Sequence, residues 1–251
     1  MFITLGKSNC LENCMWDEEI NGRLWFALMI ESRAMARLCC TRYELLARKQ
    51  GWMRICGIDE AGRGSLFGPV VAAAVVLNPR RRIVGLDDSK KLTPERRAEL
   101  APRIREHALA WAVAEVDAGR IDAWNIYQAS KQAMLAAVEN IRPAPDYLLV
   151  DAMELPLTIE QKSLIHGDAR SVSIAAASIL AKVERDRLMD DFDSLYPQYG
   201  LGSNRGYSTP EHLEALRRYG PSPLHRFSYA PVRECTCWAV SATQEMLPLS
   251  Q

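Results

Sequence analysis

Four carboxylates stand at or near the ends of short apolar runs and are the first candidates for chemistry: Asp59, Glu60, Asp151 and Asp168. In an open α/β sheet, ligands collect at the carboxyl ends of the strands, so we expect these side chains to share one edge. No histidine or cysteine pair accompanies them, and an oxygen-only donor set suits Mg²⁺ or Mn²⁺ rather than zinc. Two such ions about 4 Å apart would clamp the attacking and leaving oxygens of a phosphoryl displacement. Any one acid alone would more often be an ordinary surface residue, so the prediction depends on the set.

The two adjacent acids cannot both point at one metal from a regular strand, because neighbouring side chains project to opposite faces. Either the strand ends at Asp59, or Glu60 contributes through its main-chain carbonyl or from behind the direct ligands. We therefore rank Asp59 above Glu60 as the ligand that bridges two ions.

Two further motifs could contact a substrate. The turn Gly62-Arg63-Gly64 lacks the third glycine of a dinucleotide fingerprint, but it offers bare backbone N–H and C=O groups, and Arg63 is available for a phosphate. Tyr207 lies in a glycine-rich loop, where its ring could stack on a sugar or base. The alternative for Tyr207 is an aromatic side chain that anchors the loop to the core.

The stretch from Arg80 to Arg105 is basic, although the whole chain has a formal net charge of zero. It holds nine cations, among them Lys90, and four acids, giving a net charge of +5. Such clustering favours contacts with the phosphates of a nucleic acid, and the alternative is a solvated helix face.

The composition is that of a soluble globular protein. The 251 residues suffice for one large domain, and 48% of them are hydrophobic. The seven cysteines have no disulfide-framework spacing, and no signal peptide or membrane-spanning run is present, so we expect a cytoplasmic protein with reduced thiols. The pairs Cys10 with Cys14 and Cys39 with Cys40 fit no zinc pattern.

Alternating β-rich and amphipathic segments from residue 53 onward predict the α/β elements that must position these groups. Residues 1–52 read as an N-terminal extension with a helical pattern over 24–48, residues 53–233 as the catalytic domain, and 234–251 as a C-terminal tail. The predicted strands are 54–58, 70–77, 111–116, 147–150 and 162–165. The predicted helices begin after caps at Thr93 and Thr209 and also cover 126–141 and 173–196.

The region from about Met53 to Arg233 resembles bacterial ribonuclease HII, of the type 2 ribonuclease H family. The motifs that carry the resemblance are Gly57–Gly64, Asp88–Leu92, Val150-Asp151, Gly167-Asp168, Ser173–Val183, Gly206–Thr209 with His212, and Ala230–Arg233. The resemblance implies an α/β ribonuclease H-like fold, with a five-stranded mixed sheet flanked by helices and a small helical C-terminal part.

The resemblance also implies an activity. A family member hydrolyses the RNA strand of RNA–DNA hybrids and incises 5′ of single ribonucleotides in duplex DNA, leaving 3′-hydroxyl and 5′-phosphate ends in ribonucleotide excision repair. The same resemblance places the catalytic, metal-binding acids on Asp59, Glu60, Asp151 and Asp168. It assigns recognition of the 2′-hydroxyl to the Gly62–Gly64 turn and packing on the deoxyribose beyond the junction to Tyr207, and Lys90 is a further candidate for substrate binding.

Two departures from the family and two rival classes accompany this interpretation. His166 stands where lysine is common, and the extension is long and cysteine-rich. We expect a monomer without a membrane partner. The tail residues Gln244–Leu247 match a sliding-clamp motif too poorly to predict a contact. The rivals are a nucleic-acid-binding module without activity and a two-metal nuclease that acts on DNA alone.

Overall fold

The computed structural model describes residues 39–235, which belong to one compact unit built on a five-stranded mixed sheet. The strands are β1 (Ile55–Ala61), β2 (Val70–Val76), β3 (Ala110–Val116), β4 (Tyr147–Asp151) and β5 (Glu160–Leu164). Their order is β3-β2-β1-β4-β5. The pairs β1–β2 and β2–β3 are antiparallel, whereas β1–β4 and β4–β5 are parallel. The predicted fold class is therefore confirmed.

Residues 39–235 contain seven α-helices, two of which were not predicted from the sequence. They are α1 (Arg42–Lys49), α2 (Pro94–His107), α3 (Ala118–Trp124), α4 (Ile126–Asn140), α5 (Val172–Leu195), α6 (Leu201–Asn204) and α7 (Pro210–Tyr219). Thr93 and Thr209 cap α2 and α7 through their hydroxyls, as the sequence predicts. The helices α3 and α6 were not predicted, because seven and four residues are too few to show a period. Of the helical pattern predicted over residues 24–48, only the part from residue 39 onward lies in the described region.

Helices cover both faces of the sheet. The long helix α4 packs on one face against alternate residues of β1 to β4, and α2 with α5 packs on the other. The small residues of these elements allow close contact: a Cβ on Gly57 of β1 would lie 2.0 Å from the carbonyl carbon of Ser173 in α5. The first turns of α5 are therefore fixed directly on the strand that carries Asp59.

A smaller apolar cluster joins the C-terminal helices to the loop after β1. Leu66 and Phe67 from that loop pack with Met189 of α5, with Leu216 of α7 and with Val232. This packing places the loop of Tyr207 next to the loop that contains the Gly62–Gly64 turn, since Leu66 N–H donates to the Gly206 carbonyl at 2.8 Å.

The helix α1 packs against the start of α5, although it lies in the segment assigned from sequence to the extension. Glu44 of α1 is buried, and its Oε1 accepts hydrogen bonds from the Ser171 hydroxyl at 2.6 Å and from Ser173 N–H at 3.0 Å. Its carboxylate thus joins Ser171 in capping the N-terminus of α5. Within residues 39–235, no helix is both long and apolar enough to cross a membrane.

Candidate active site

Three of the four predicted acids come together beside the carboxyl-terminal parts of β1, β4 and β5. Ile58 of β1 and Val150 of β4 form the last pair of their parallel ladder, so Asp59 and Asp151, the next residues, lie side by side, and β1 continues beyond Asp59 to Ala61. Asp168 belongs to the short 3₁₀ turn Gly167–Ala169 that follows β5. The expectation that strand ends would gather these carboxylates agrees with this geometry.

Backbone amides orient each of the three aspartates. Asp59 accepts from Glu60 N–H at 2.7 Å, Asp151 from Gly167 N–H at 2.7 Å, and Asp168 from Ala169 N–H at 2.9 Å. In each case the accepting oxygen is Oδ1. Asp59 and Asp168 are only 5% and 4% exposed, so their carboxylates are held in fixed positions within a poorly solvated edge.

Glu60 takes a different position. The strand β1 runs on to Ala61, so the alternative in which it ends at Asp59 is wrong. The Glu60 Oε1 accepts a hydrogen bond and ion pair from Arg63 Nη1 at 3.2 Å. Its Oε2 is buried and has no hydrogen-bond partner among the described residues. That oxygen is a buried acceptor which a cation could satisfy.

The acids raise one another's pKa values. Burial raises the pKa of Asp59 well above its usual range, and the charges of Glu60 and Asp151 raise it further. Burial is also the main cause of the raised pKa of Asp151 and of Asp168. A site in which several carboxylates resist ionisation has an electrostatic preference for a bound cation.

The donor chemistry of these residues fits a hard divalent cation, because every candidate ligand is a carboxylate oxygen. Among residues 39–235, however, no three His, Cys, Asp or Glu side chains already converge into a ready-made metal-binding cluster. Cys39 and Cys40 are free thiols, and Cys10 and Cys14 lie outside the described residues.

The loop between β2 and α2 brings a lysine to these acids. Lys90 Nζ lies 3.7 Å from Asp168 Oδ2. Partial burial lowers the pKa of Lys90, but the charges of Asp168 and its neighbours outweigh that effect and raise the pKa overall. The Ser89 hydroxyl lies 2.7 Å from that of Ser178, which in turn hydrogen-bonds Asp59. These two serines were missed from sequence, since nothing in their spacing marks them.

The rest of the basic stretch is partly neutralised within the protein. Lys91 forms ion pairs with Asp87 and Asp88, and Arg96 pairs with Glu99. Arg105 likewise pairs with a glutamate of α5. Of the cations in this stretch, Lys90 is the one that forms an ion pair with a candidate site acid, Asp168, and Arg80, Arg81 and Arg82 are exposed.

The two glycines of the turn have different surroundings. Gly62 is buried at φ +95°, and a Cβ there would lie 1.9 Å from Arg185 Nε. Gly64 is exposed, and the nearest atom to a Cβ there is Tyr207 Cε1 at 4.0 Å. Gly62 is thus required by the protein's own packing, whereas Gly64 leaves its backbone open to an approaching ligand.

Two fully buried arginines, both missed from sequence, hold this turn and its loop. Arg185 donates to the carbonyls of Arg205 (3.0 Å), Phe67 (3.3 Å) and Pro69 (3.3 Å). Burial lowers the pKa of Arg185 to about 10. Because the partners of Arg185 are backbone carbonyls 20 to 118 positions away, no sequence pattern could have revealed it.

The second arginine fixes the carbonyl at the centre of the turn. Arg226 Nη1 donates to the Arg63 carbonyl at 2.9 Å and to the Tyr229 hydroxyl at 3.1 Å, and the Tyr229 hydroxyl donates to the same carbonyl at 2.5 Å. Burial lowers the pKa of Arg226. The Arg63 carbonyl therefore has a fixed direction before any ligand arrives.

Tyr207 is half exposed beside the turn. Its side chain is 37% exposed, and its ring faces Arg185 Cζ at 5.5 Å and Lys182 Nζ at 5.9 Å. The partial exposure is compatible with stacking on a ligand and the two cation contacts with anchoring the loop, so the role of Tyr207 stays a prediction. His166 is also exposed, with φ 55°, directly before the turn of Asp168.

The chain is similar to a known family along most of its length. The family model described as Ribonuclease HII matches residues 56–232. The ribonuclease HII of Koribacter versatilis is 54% identical over 228 residues, which cover 90% of this chain and 88% of that protein.

Two solved structures have the same fold. The ribonuclease H2 of Pyrococcus horikoshii superposes with a TM-score of 0.63 at 27% identity, covering 73% of this chain and 97% of that one. The ribonuclease HII of Archaeoglobus fulgidus, solved in a complex with PCNA, gives 0.60 at 29% identity, covering 70% and 95%.

Proposed function

The chain belongs to the ribonuclease HII family, and we propose that Asp59, Glu60, Asp151 and Asp168 form its metal-dependent hydrolytic centre. It is an endonuclease that cleaves RNA in RNA–DNA hybrids and ribonucleotides embedded in DNA. The observation that carries the assignment is the meeting of Asp59, Asp151 and Asp168 beside the carboxyl-terminal parts of three adjacent strands. No other feature of the described residues gathers carboxylates beside a turn with an open backbone.

Enzymes of this family depend on divalent metal ions. We propose two Mg²⁺ or Mn²⁺ ions held by these four acids, which when bound would activate water and stabilise the leaving 3′-oxygen. The residues of the chain then have distinct parts. Asp59 and Asp151 present oxygens from backbone-fixed carboxylates, Lys90 offsets the charge of Asp168, and the Arg63 ion pair orients Glu60.

The Gly62–Gly64 turn, adjacent to these acids, selects the bond that is cleaved. A ribonucleotide differs from a deoxyribonucleotide by its 2′-hydroxyl, and backbone N–H and C=O groups without side-chain cover can contact that hydroxyl directly. The exposed Gly64 and the fixed Arg63 carbonyl provide such groups, with Tyr207 beside them to pack on the next sugar. The incision proposed here is 5′ of the ribonucleotide, as the resemblance to the family implies, and departure of the 3′-oxygen leaves 3′-hydroxyl and 5′-phosphate ends.

The hydrolytic assignment is tested by Asp59→Asn and Asp151→Asn. Both should abolish cleavage of a hybrid and of a duplex with one ribonucleotide, in Mg²⁺ or Mn²⁺, while substrate binding and folding persist. Asp191→Asn, at an exposed aspartate of α5 that pairs only with Arg187, is the matched control and should cleave normally. Full activity of either site variant would remove the metal assignment. Cleavage of an all-DNA duplex by the parent enzyme would favour a general nuclease.

The role of Tyr207 is tested by Tyr207→Ala. The loss of its ring should reduce incision at a single ribonucleotide more than cleavage of a long hybrid, because base–aromatic or sugar–aromatic packing contributes about 1–3 kcal/mol per contact. Tyr219→Ala, at an exposed tyrosine of α7, is the control. Equal losses on both substrates would show that Tyr207 does not read the junction.

The proposed partners are nucleic acids, and the proposed active form is a monomer. The Archaeoglobus relative forms a complex with PCNA. In this chain the tail residues Gln244–Leu247 lie outside the described residues, and a clamp contact is not part of the proposal.

A further inference from the structure

Two histidines that take no part in the proposed hydrolysis face each other in the C-terminal cluster. His212 and His225 are both fully buried, and their Nε2 atoms are 3.1 Å apart. The other nitrogen of each ring also has a partner: His212 Nδ1 lies 2.9 Å from the Tyr207 carbonyl oxygen, and His225 Nδ1 lies 2.9 Å from Ser222 N. The four ring nitrogens therefore form one continuous hydrogen-bonded chain.

The direction of every hydrogen bond in this chain follows from its two ends. A backbone N–H can only donate, so His225 Nδ1 accepts from Ser222 and the His225 proton is on Nε2. That proton is donated to His212 Nε2, so the proton of His212 is on Nδ1 and is donated to the Tyr207 carbonyl. With both rings neutral, this is the one arrangement that satisfies all four nitrogens. Burial lowers the pKa of both histidines, to about 3 for His225, which is consistent with neutral rings.

The His225 end of this row of hydrogen bonds packs against the segment that contains the Gly62–Gly64 turn. The His225 ring packs edge-on against Phe67 at 4.8 Å, and the backbones of these two residues form a β-bridge. The next residue, Arg226, binds the Leu66 carbonyl through its N–H and the Arg63 carbonyl through Nη1. The segment His225–Arg226 thus contacts the Gly62–Gly64 turn directly and reaches Tyr207 through His212.

We propose that the His212–His225 pair is a positioning element that fixes Tyr207 relative to the Gly62–Gly64 turn and thereby sets the preference for single embedded ribonucleotides. The inference rests on the proposed role of Tyr207. Neither histidine contacts the substrate; each acts through the Tyr207 carbonyl, which also accepts from Thr209 N–H at 2.8 Å. Loss of the histidine donor leaves that carbonyl held from one side only.

The test measures kcat/KM for a duplex with one ribonucleotide and for a long hybrid. The first value divided by the second is the ratio used below. His212→Leu removes the donor at similar volume, and the ratio should fall about three- to tenfold, as expected for one lost hydrogen bond. His212→Asn keeps an N–H donor near the position of Nδ1, so its ratio should lie between those of the parent and His212→Leu. His225→Asn keeps an acceptor for Ser222 but cannot reach His212, so its ratio should also fall.

The decisive measurement is the combination with Tyr207→Ala. If the pair acts through Tyr207, His212→Leu should change the ratio no further in a Tyr207→Ala background. An additive fall, equal losses on both substrates, or His212→Asn no better than His212→Leu would each overturn the positioning role. Thermal unfolding of each variant sets an assay temperature at which all are folded. Should His212→Leu fail to fold, His212→Asn and His225→Asn carry the test.

The same set of variants separates the two proposals. If Tyr207→Ala alone leaves the ratio unchanged, the reading of the junction by Tyr207 fails, and the histidine inference fails with it. If Tyr207→Ala lowers the ratio and none of the histidine variants does, only the positioning inference fails.

Discussion

Replacing each glycine of the turn by alanine should separate a folding requirement from a substrate contact. At Gly62 the positive φ of +95° would strain an alanine by about 1–3 kcal/mol. The new Cβ would also lie 1.9 Å from Nε and 2.5 Å from Cδ of Arg185, a fully buried side chain that cannot swing into solvent. Displacing it would weaken three hydrogen bonds to carbonyls, each contributing about 1 kcal/mol.

These effects together give a loss of about 3–6 kcal/mol in the free energy of unfolding of Gly62→Ala. A loss of that size corresponds to a fall in Tm of about 6–24 °C for a domain of this length. Gly64→Ala is the matched control, since Gly64 has no positive φ and no atom within 4 Å of the added Cβ except Tyr207 Cε1 at 4.0 Å. Its unfolding free energy should change by less than about 0.5 kcal/mol, as for most surface substitutions.

The activity of Gly64→Ala should fall although its structure is undamaged. The methyl group of Gly64→Ala stands on the exposed backbone that the ribose is proposed to approach, so incision should fall although the protein is stable. Urea unfolding and cleavage of the two substrates, measured on both variants, complete the comparison. A Gly62→Ala protein within 0.5 kcal/mol of the parent, on the order of the surface range, would refute the packing argument. Full activity of Gly64→Ala would refute the backbone contact.

Two further outcomes follow from buried ionisable groups. Asp59→Asn should raise the Tm measured in EDTA, because it removes a buried carboxylate that is repelled by Glu60 and Asp151; an unchanged or lower Tm by calorimetry would contradict the repulsion. The pKa of His225 is lowered to about 3, so below about pH 6.5 the unfolded chain binds a proton that the folded chain does not, and stability is lost as the pH falls from about 6.5 toward 3. The free energy of unfolding, measured with urea at several pH values between about 6.5 and 4.5, should fall with decreasing pH less steeply in His225→Asn than in the parent, by about 1.4 kcal/mol per pH unit. Equal pH dependence of the two proteins would exclude a neutral buried His225.

The strands and their acids could be predicted from sequence because their signals are local. The apolar runs that precede Asp59 and Asp151 mark the two strands, and in an α/β sheet the carboxyl-terminal parts of neighbouring parallel strands lie at one edge. The edge strand β5 was displaced by one or two residues in the prediction, since most of Glu160–Leu164 is exposed or half-exposed and has no apolar pattern.

The supports of the site could not be predicted, because they are long-range contacts to backbone atoms. Arg226 binds the Arg63 carbonyl across 163 positions, and an arginine in a C-terminal loop carries no mark of such a partner. The same holds for the His212–His225 pair, whose members lie on a helix and on the loop after it. The geometry of Glu60 depended on whether β1 ended at Asp59, and pairing with β2, which continues through Ala61, decides that it does not.

One consequence of α5 concerns where the cut falls. Ser178, which hydrogen-bonds Asp59, and Arg185, which lies beneath the Gly62 turn, are seven residues apart on this single helix. Seven residues span about 10.5 Å and two turns, so both side chains project from the same side of α5. The helix therefore fixes the distance between the proposed hydrolytic acids and the turn proposed to contact the ribose. A one-residue insertion between Ser178 and Arg185 would rotate one of these side chains by about 100° relative to the other. The position of the cut relative to the ribonucleotide should then be lost, even with every proposed catalytic acid in place.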